Sequence, residues 1–112
     1  MKENFPDMIR NARAKAGLTT RQLADALSVR GASASVTLIN QIERATTKPT
    51  FDFAYFAARE TGMDPEAALR AAFLYRVKWS IDREKEALRN VAEKEGLGDE
   101  AVNRITSLRG LK

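Results

Sequence analysis

The sequence LTTRQLADALSVRGASASVTLINQIERATTKP, at residues 18–49, contains two short helical patterns joined by a turn of small residues. The first pattern runs from Thr19 to Leu27, and its apolar residues recur on one face. Thr19 can cap this helix, and Gln22 three residues later completes a capping box. The helix is therefore expected to pack on a core along one side and to leave its other side in solvent.

The second pattern runs from about Val36 to Arg44, with Ser35 as the predicted N-cap and Ser33 as the alternative. The residues expected to face inward are Ile39, Ile42 and Leu38. The residues expected on or near the outer face are Val36, Thr37, Asn40, Gln41 and Arg44. Two short helices with small polar side chains outside the second are typical of a helix-turn-helix, whose second helix must fit a DNA major groove about 12 Å wide.

Residues before, within and after the two helices match a known pattern. They are Ile9, Arg10, Arg13, Gly17, Leu18, Thr19, Leu23, Ala24, Ile39, Ile42, Glu43, Arg44, Lys48 and Pro49. In these positions the chain resembles the helix-turn-helix domain of the Cro/C1 phage-repressor family, over residues 5 to about 69. The resemblance implies an all-α fold, with a five-helix lambda-repressor-like DNA-binding domain at residues 1–69 followed by C-terminal helices. It also implies sequence-specific binding of double-stranded DNA to regulate transcription.

Two features depart from that family. The stretch from Leu23 to Glu43 is several residues longer than usual, and the excess lies at residues 28–34 around Gly31. Ala45 stands where the family usually has a glycine. A similarly lengthened turn occurs in the small mycobacterial regulators associated with ESX secretion, which the chain resembles more loosely through its turn length and helical tail.

The resemblance assigns roles to individual residues. Arg13 and Glu43 match a structural ion pair that holds the first helix to the second motif helix. Gln41 can pair bidentately with adenine, and Thr37 and Val36 can contact a thymine methyl group. The predicted base-contacting residues are Val36, Thr37, Asn40 and Gln41.

Basic residues are concentrated around the motif. Between Arg10 and Lys48 there are seven basic residues and two acidic ones, a difference of 7 − 2 = +5 against a net charge of +4 for the whole chain. A positive field at this place suits a phosphate partner. The predicted phosphate-contacting residues are Thr20, Arg21, Arg30, Arg44, Thr46, Thr47 and Lys48. For Arg30 an equal alternative is that the turn is a tolerated insertion without contact to DNA.

Composition argues against other classes of function. The 112 residues contain no cysteine and no histidine, which removes thiolate and imidazole metal sites and the common catalytic bases. No catalytic spacing, glycine-rich phosphate loop or small-molecule site is recognisable, so we expect neither an enzyme nor a cofactor or metal. The sequence also lacks a signal peptide and an apolar run long enough to span a membrane, which predicts a cytoplasmic protein.

The flanking helices are marked by their ends. Asn4 is expected to cap a first helix whose apolar stripe is Phe5, Ile9, Ala12 and Ala16. Thr50 is expected to cap a fourth helix at residues 51–61, and Asp64 a fifth that begins at Pro65. Beyond the hinge Gly96-Leu97-Gly98, Asp99 is expected to cap the last helix.

Residues 70–112 are expected to form a helical dimerisation region. From Pro65 to Glu95 no glycine or proline intervenes, so one helix of about thirty residues or a bend near Ser80 is possible. An apolar stripe is interrupted only at Glu84-Lys85, and Tyr75 and Trp79 lie on the opposite side. A segment that is apolar on two sides needs two partners, one of which can be the chain's own domain while the other suggests a second subunit. The predicted dimerisation residues are Phe73, Val77, Trp79, Ile81, Leu88, Val91, Val102, Ile105 and Leu108.

Two rival functions fit the same sequence. One is an antitoxin-type protein that binds DNA only for autoregulation and uses its C-terminal helices to hold a partner protein. The other is a low-specificity, nucleoid-associated protein, for which broad and salt-sensitive DNA binding is expected.

Overall fold

The computed structural model describes residues 4–32, 34–77 and 81–107, and every regular element within these ranges is an α-helix. The helices are α1 (Phe5–Lys15), α2 (Thr20–Val29), α3 (Val36–Glu43), α4 (Phe51–Thr61), α5 (Pro65–Arg76), α6 (Ile81–Lys94) and α7 (Asp99–Thr106). The predicted all-α class is confirmed for the described chain. None of the helices described is long and apolar enough to cross a membrane.

Five helices begin at a polar N-cap whose side chain accepts a hydrogen bond from the backbone N–H three residues later, at 3.0–3.1 Å. These N-caps are Asn4, Thr19, Ser35, Thr50 and Asp64, all at predicted positions. The side chain of Gln22 accepts from the Thr19 N–H at 2.9 Å and completes the predicted capping box. Each cap satisfies backbone donors that the first turn of a helix leaves unpaired. Ser33, the alternative cap, lies outside the described residues.

Two predictions at helix ends are wrong. Gly98 is the N-cap of α7, and Asp99 is the first residue of the helix without a side-chain capping bond. Its carboxylate therefore acts only as a negative charge in the first turn, where the helix dipole favours one. Ala16 is exposed as the C-cap of α1, because the chain turns away at Gly17, which has a φ of 75°.

The core is one cluster that extends from the first helix to the last. Its largest fully buried apolar side chains are Phe5, Phe73, Ile9, Leu23, Leu27, Ile39, Ile42, Leu69, Leu88 and Ile105. The predicted division of the chain at residue 69 falls inside α5, and Leu69 and Phe73 on its two sides join the same core. Helices α5, α6 and α7 therefore share buried surface with α1–α4.

α5 and α6 are separate helices, and both contact the first turn of α4. The Arg76 guanidinium lies 4.6 Å from the centre of the Phe51 ring, while the Lys94 ammonium pairs with Asp52 at 3.0 Å. α5 ends at Arg76 with Val77 as its C-cap, and α6 begins as a separate helix at Ile81. The alternative of an unbroken helix is therefore excluded. Ser80, the predicted bend, lies outside the described residues.

Charged side chains attach α7 to α5. The Arg104 guanidinium makes two hydrogen bonds to the Glu66 carboxylate, at 2.7 and 2.9 Å. The Arg70 guanidinium donates to the backbone carbonyls of Ser107 at 2.7 Å and Arg104 at 3.1 Å. These carbonyls belong to the end of α7, where a helix leaves its acceptors unpaired. The last helix is thus capped by a side chain of α5.

The residues predicted to form a dimer interface divide into three groups. Phe73, Leu88 and Ile105 are fully buried, and Val102 is 5% exposed, all within a single chain. The half-buried members are Val77, Ile81 and Val91. Trp79 and Leu108 lie outside the described residues. The apolar stripe of the tail is therefore covered largely by its own chain, and it does not by itself require a second subunit.

Candidate nucleic-acid interface

The lengthened turn between α2 and α3 is closed by local hydrogen bonds. The N–H of Gly31, which has a φ of 81°, donates to the Ser28 carbonyl, and the N–H of Ala32 donates to the Leu27 carbonyl at 2.9 Å. This pair of bonds is a Schellman motif, which needs a residue with positive φ and so favours glycine. Ala32 and Ala34 are buried and attach the turn to the core.

Helix α3 has a buried apolar face and a polar outer face. Ile39 is fully buried, Ile42 is 1% exposed, and Leu38 is half-buried. Thr37 and Gln41, one helical turn apart, are exposed on the same side, while Val36 and Asn40 beside them are half-buried. The four predicted base-contacting residues therefore lie together on α3, and Thr37 and Gln41 are the more accessible of the four.

Helix α3 ends at a turn in which Ala45 adopts a left-handed backbone conformation. The N–H of Ala45 donates to the Ile42 carbonyl at 3.0 Å, and the N–H of Thr46 donates to the Gln41 carbonyl at 2.9 Å. Ala45 has a φ of 61°, the left-handed conformation in which a glycine is normally found. The chain thus has the backbone conformation of a helix end capped by glycine, although the residue at that position is an alanine. The Thr46 hydroxyl also donates to the Gln41 carbonyl, at 3.1 Å.

The predicted ion pair between α1 and α3 is present. The Arg13 guanidinium donates to both carboxylate oxygens of Glu43, at 2.7 and 2.9 Å, and to the Leu18 carbonyl at 2.8 Å. The Glu43 hydrogen bond raises the pKa of Arg13. Because Glu43 is only 7% exposed, its charge depends on this partner, and the pair fixes α3 relative to α1.

The predicted phosphate-contacting residues differ in their exposure and in the ion pairs that they form within the protein. Arg21 and Arg44 are exposed, and neither forms an ion pair within the described part of the chain. Arg30 pairs with Glu60 of α4, and Lys48 pairs with Glu84 of α6 at 3.5 Å. The three threonines are at the start of α2 or after α3; Thr46 is exposed, and Thr20 and Thr47 are half-buried.

Two side chains behind this surface were not predicted. Glu84, which interrupts the apolar stripe of the tail, is fully buried, and Arg76 of α5 pairs with it. Arg76 also donates to the Pro49 carbonyl, next to Lys48. The sequence signal for this pair is an acidic residue inside an apolar stripe. An acidic side chain is rarely buried unless it is paired, so a glutamate on a buried face indicates a cationic partner.

The described residues contain no cluster of three or more acidic, cysteine or histidine side chains able to hold a metal ion. Comparison with protein families, with curated proteins and with solved structures finds no match for this chain.

Proposed function

We propose that the chain is a sequence-specific regulator of transcription that binds double-stranded DNA as a homodimer, and that its first five helices form a lambda-repressor-like domain of the Cro/C1 type. The observation that carries this proposal is the presentation of α3. Thr37 and Gln41 point outward from a helix whose other side is fixed by the buried Ile39 and Ile42.

The dimensions of α3 suit a major groove. An α-helix with its side chains is about 10–12 Å in diameter, which fits the major groove, about 12 Å wide. In such a groove Gln41 would donate to and accept from an adenine, and the Thr37 methyl group would contact a thymine. The Arg13–Glu43 pair supports this role because it restricts the orientation of α3 before DNA is bound.

The surroundings of α3 suit phosphates. Arg21 lies in the first turn of α2, where backbone N–H groups and the positive end of the helix dipole favour an anion. Arg44 is the C-cap of α3, immediately after the last residue of that helix. Contacts from these two arginines would hold the protein on the duplex without specifying a sequence.

Dimerisation follows from the size of the module. One such helix reaches few base pairs, so proteins of this kind usually bind two half-sites about 34 Å apart on one face of the duplex. Among the predicted dimerisation residues that the structure describes, the half-buried Val77, Ile81 and Val91 are those that a second subunit could still cover. The apolar tail fitted both the homodimer and the antitoxin alternative, and the burial of Phe73, Leu88 and Ile105 in their own chain weakens that argument for both.

Selection of bound duplexes from a randomised pool tests the proposal. The full chain should enrich a two-part site with half-sites one helical turn apart, and Gln41→Ala should relax the sequence preference at one position of each half-site. Asn90→Ala, which removes an exposed amide from α6, is the matched control and should select the same site as the wild type. Binding without enrichment would favour the nucleoid-associated alternative, and failure to bind DNA would refute the proposal.

A further inference from the structure

A buried cluster of charges connects the tail to the loop after α3. Glu84 of α6 has no exposed surface, and its two carboxylate oxygens contact different cations. One oxygen accepts from the Arg76 guanidinium of α5, and the other lies 3.5 Å from the Lys48 ammonium. Lys48 belongs to the α3–α4 loop, residues 44–50.

The same loop is held by α5 at two further points. The Arg76 guanidinium donates to the Pro49 carbonyl and lies over the Phe51 ring. The Tyr75 hydroxyl lies 3.5 Å from the Ala45 carbonyl and can donate to it. The loop that follows the outward-facing helix is therefore positioned by the tail from its beginning to its end.

The cluster contains two positive charges and one negative charge. The side chain of Arg76 is 12% exposed and belongs to the interior, whereas the side chain of Lys48 is 35% exposed and reaches the surface. A phosphate that approaches Lys48 thus also approaches the carboxylate of Glu84. Two negative charges competing for one ammonium group weaken the attraction of that ammonium for each of them.

We propose that Glu84 is a positioning residue of the DNA-binding face, which holds the Lys48 ammonium in an ion pair and so lowers its contribution to phosphate binding. This inference rests on the proposed DNA-binding function and adds its regulation by the tail. Its consequence is selectivity: a weaker phosphate contact reduces binding to DNA of any sequence, while base contacts of α3 are unaffected. A change that moves α6 would release Lys48 and strengthen binding to all sequences.

The test is a salt titration of binding to a random-sequence duplex by the full chain and four variants. Glu84→Gln removes the competing charge with little change in shape, and Lys48→Ala and the double variant show whether Lys48 carries the effect. Glu93→Gln, which removes an exposed carboxylate from the same helix, is the matched control.

For Glu84→Gln the slope of log K against log salt should steepen by up to about 0.9. Affinity should rise by up to about eightfold at 0.1 M salt, the effect of one further phosphate contact relative to 1 M salt. The gain should disappear in the double variant and should not occur in Glu93→Gln. A purely structural role of Glu84 would change the folded fraction but not the slope.

A comparison within an otherwise unchanged chain covers the case in which Glu84→Gln does not fold. Arg44→Ala should lower the magnitude of the slope by about 0.9, and Lys48→Ala should lower it by clearly less. Equal reductions, or a slope that Glu84→Gln leaves unchanged, would overturn the role of Glu84 while leaving DNA binding intact. Absence of any binding by the wild type would instead overturn both proposals.

Discussion

Replacing Ala45 with glycine should stabilise the protein. Ala45 has a φ of 61°, and among the described residues it is the non-glycine residue with positive φ. The left-handed conformation brings a Cβ atom too close to the next carbonyl oxygen, whereas glycine adopts it without this strain. Ala45 is exposed, so little packing is lost with its methyl group.

The expected gain is the difference between two terms. Relief of the left-handed conformation contributes about 1–2 kcal/mol, and the greater freedom of glycine in the unfolded chain removes about 0.4–1 kcal/mol. The net stabilisation is then centred at about 0.8 kcal/mol. For a chain of this size this corresponds to a rise in Tm of roughly 2–4 °C.

Thermal unfolding followed by circular dichroism, with urea unfolding as a second measurement, checks this prediction. Ala14→Gly is the control, since Ala14 is an exposed alanine within α1 and its replacement should lower stability by up to about 1 kcal/mol. The reasoning requires opposite signs for the two variants. If Ala45→Gly lowers Tm as Ala14→Gly does, the backbone at position 45 is not under the inferred strain.

Three further perturbations test other contacts. Glu43→Gln leaves the Arg13 charge without its carboxylate, so the free energy of unfolding in urea should fall by about 3 kcal/mol, and a loss below about 1 kcal/mol would contradict a clamp between α1 and α3. The Arg104 hydrogen bond lowers the pKa of Glu66, so the wild type should be slightly more stable than Glu66→Gln above the pKa of an unfolded glutamate. This difference in stability should disappear as pH falls through the lower pKa of Glu66 in the folded protein, and a difference that persists in acid would contradict the prediction. A chain ending at Arg70 lacks core side chains from three helices and should lose cooperative unfolding, whereas a cooperatively folded fragment would show that the tail is dispensable for the core.

The parts of the fold that depend on neighbouring residues were predictable. A capping side chain bonds to a backbone group three residues away, so Thr19, Ser35 and Thr50 identify helix starts wherever the rest of the chain lies. The requirement for positive φ likewise marks Gly31. The same local periodicity separates the inner and outer sides of α3.

The tail shows the limit of periodicity. Apolar residues at helical spacing indicate that a face is covered, but they do not say whether the same chain or a second subunit covers it. By sequence Phe73, Leu88 and Ile105 fit a dimer interface, but in the structure they lie in the core of their own chain. Homodimerisation stays a prediction that rests on the size of the module.

The charged cluster was not predictable for a related reason. Glu84 and Arg76 are eight residues apart, which is no helical pairing distance, and Lys48 is further away in sequence. Only the three-dimensional path of the chain brings them together. The sequence shows Lys48 as a basic residue near a predicted DNA-binding motif, and the structure adds that Lys48 already pairs with the Glu84 carboxylate.

The most direct test of the central claim is a competition titration of the full chain with its best selected duplex and with a scrambled duplex of equal length. The ratio of the two affinities measures base recognition apart from phosphate attraction. If α3 reads DNA through Gln41, Gln41→Ala should lower that ratio by about 5- to 150-fold, equivalent to about 1–3 kcal/mol, while binding to the scrambled duplex hardly changes. An equal loss on both duplexes, or an unchanged ratio, would contradict a role for this face of α3 in reading the sequence.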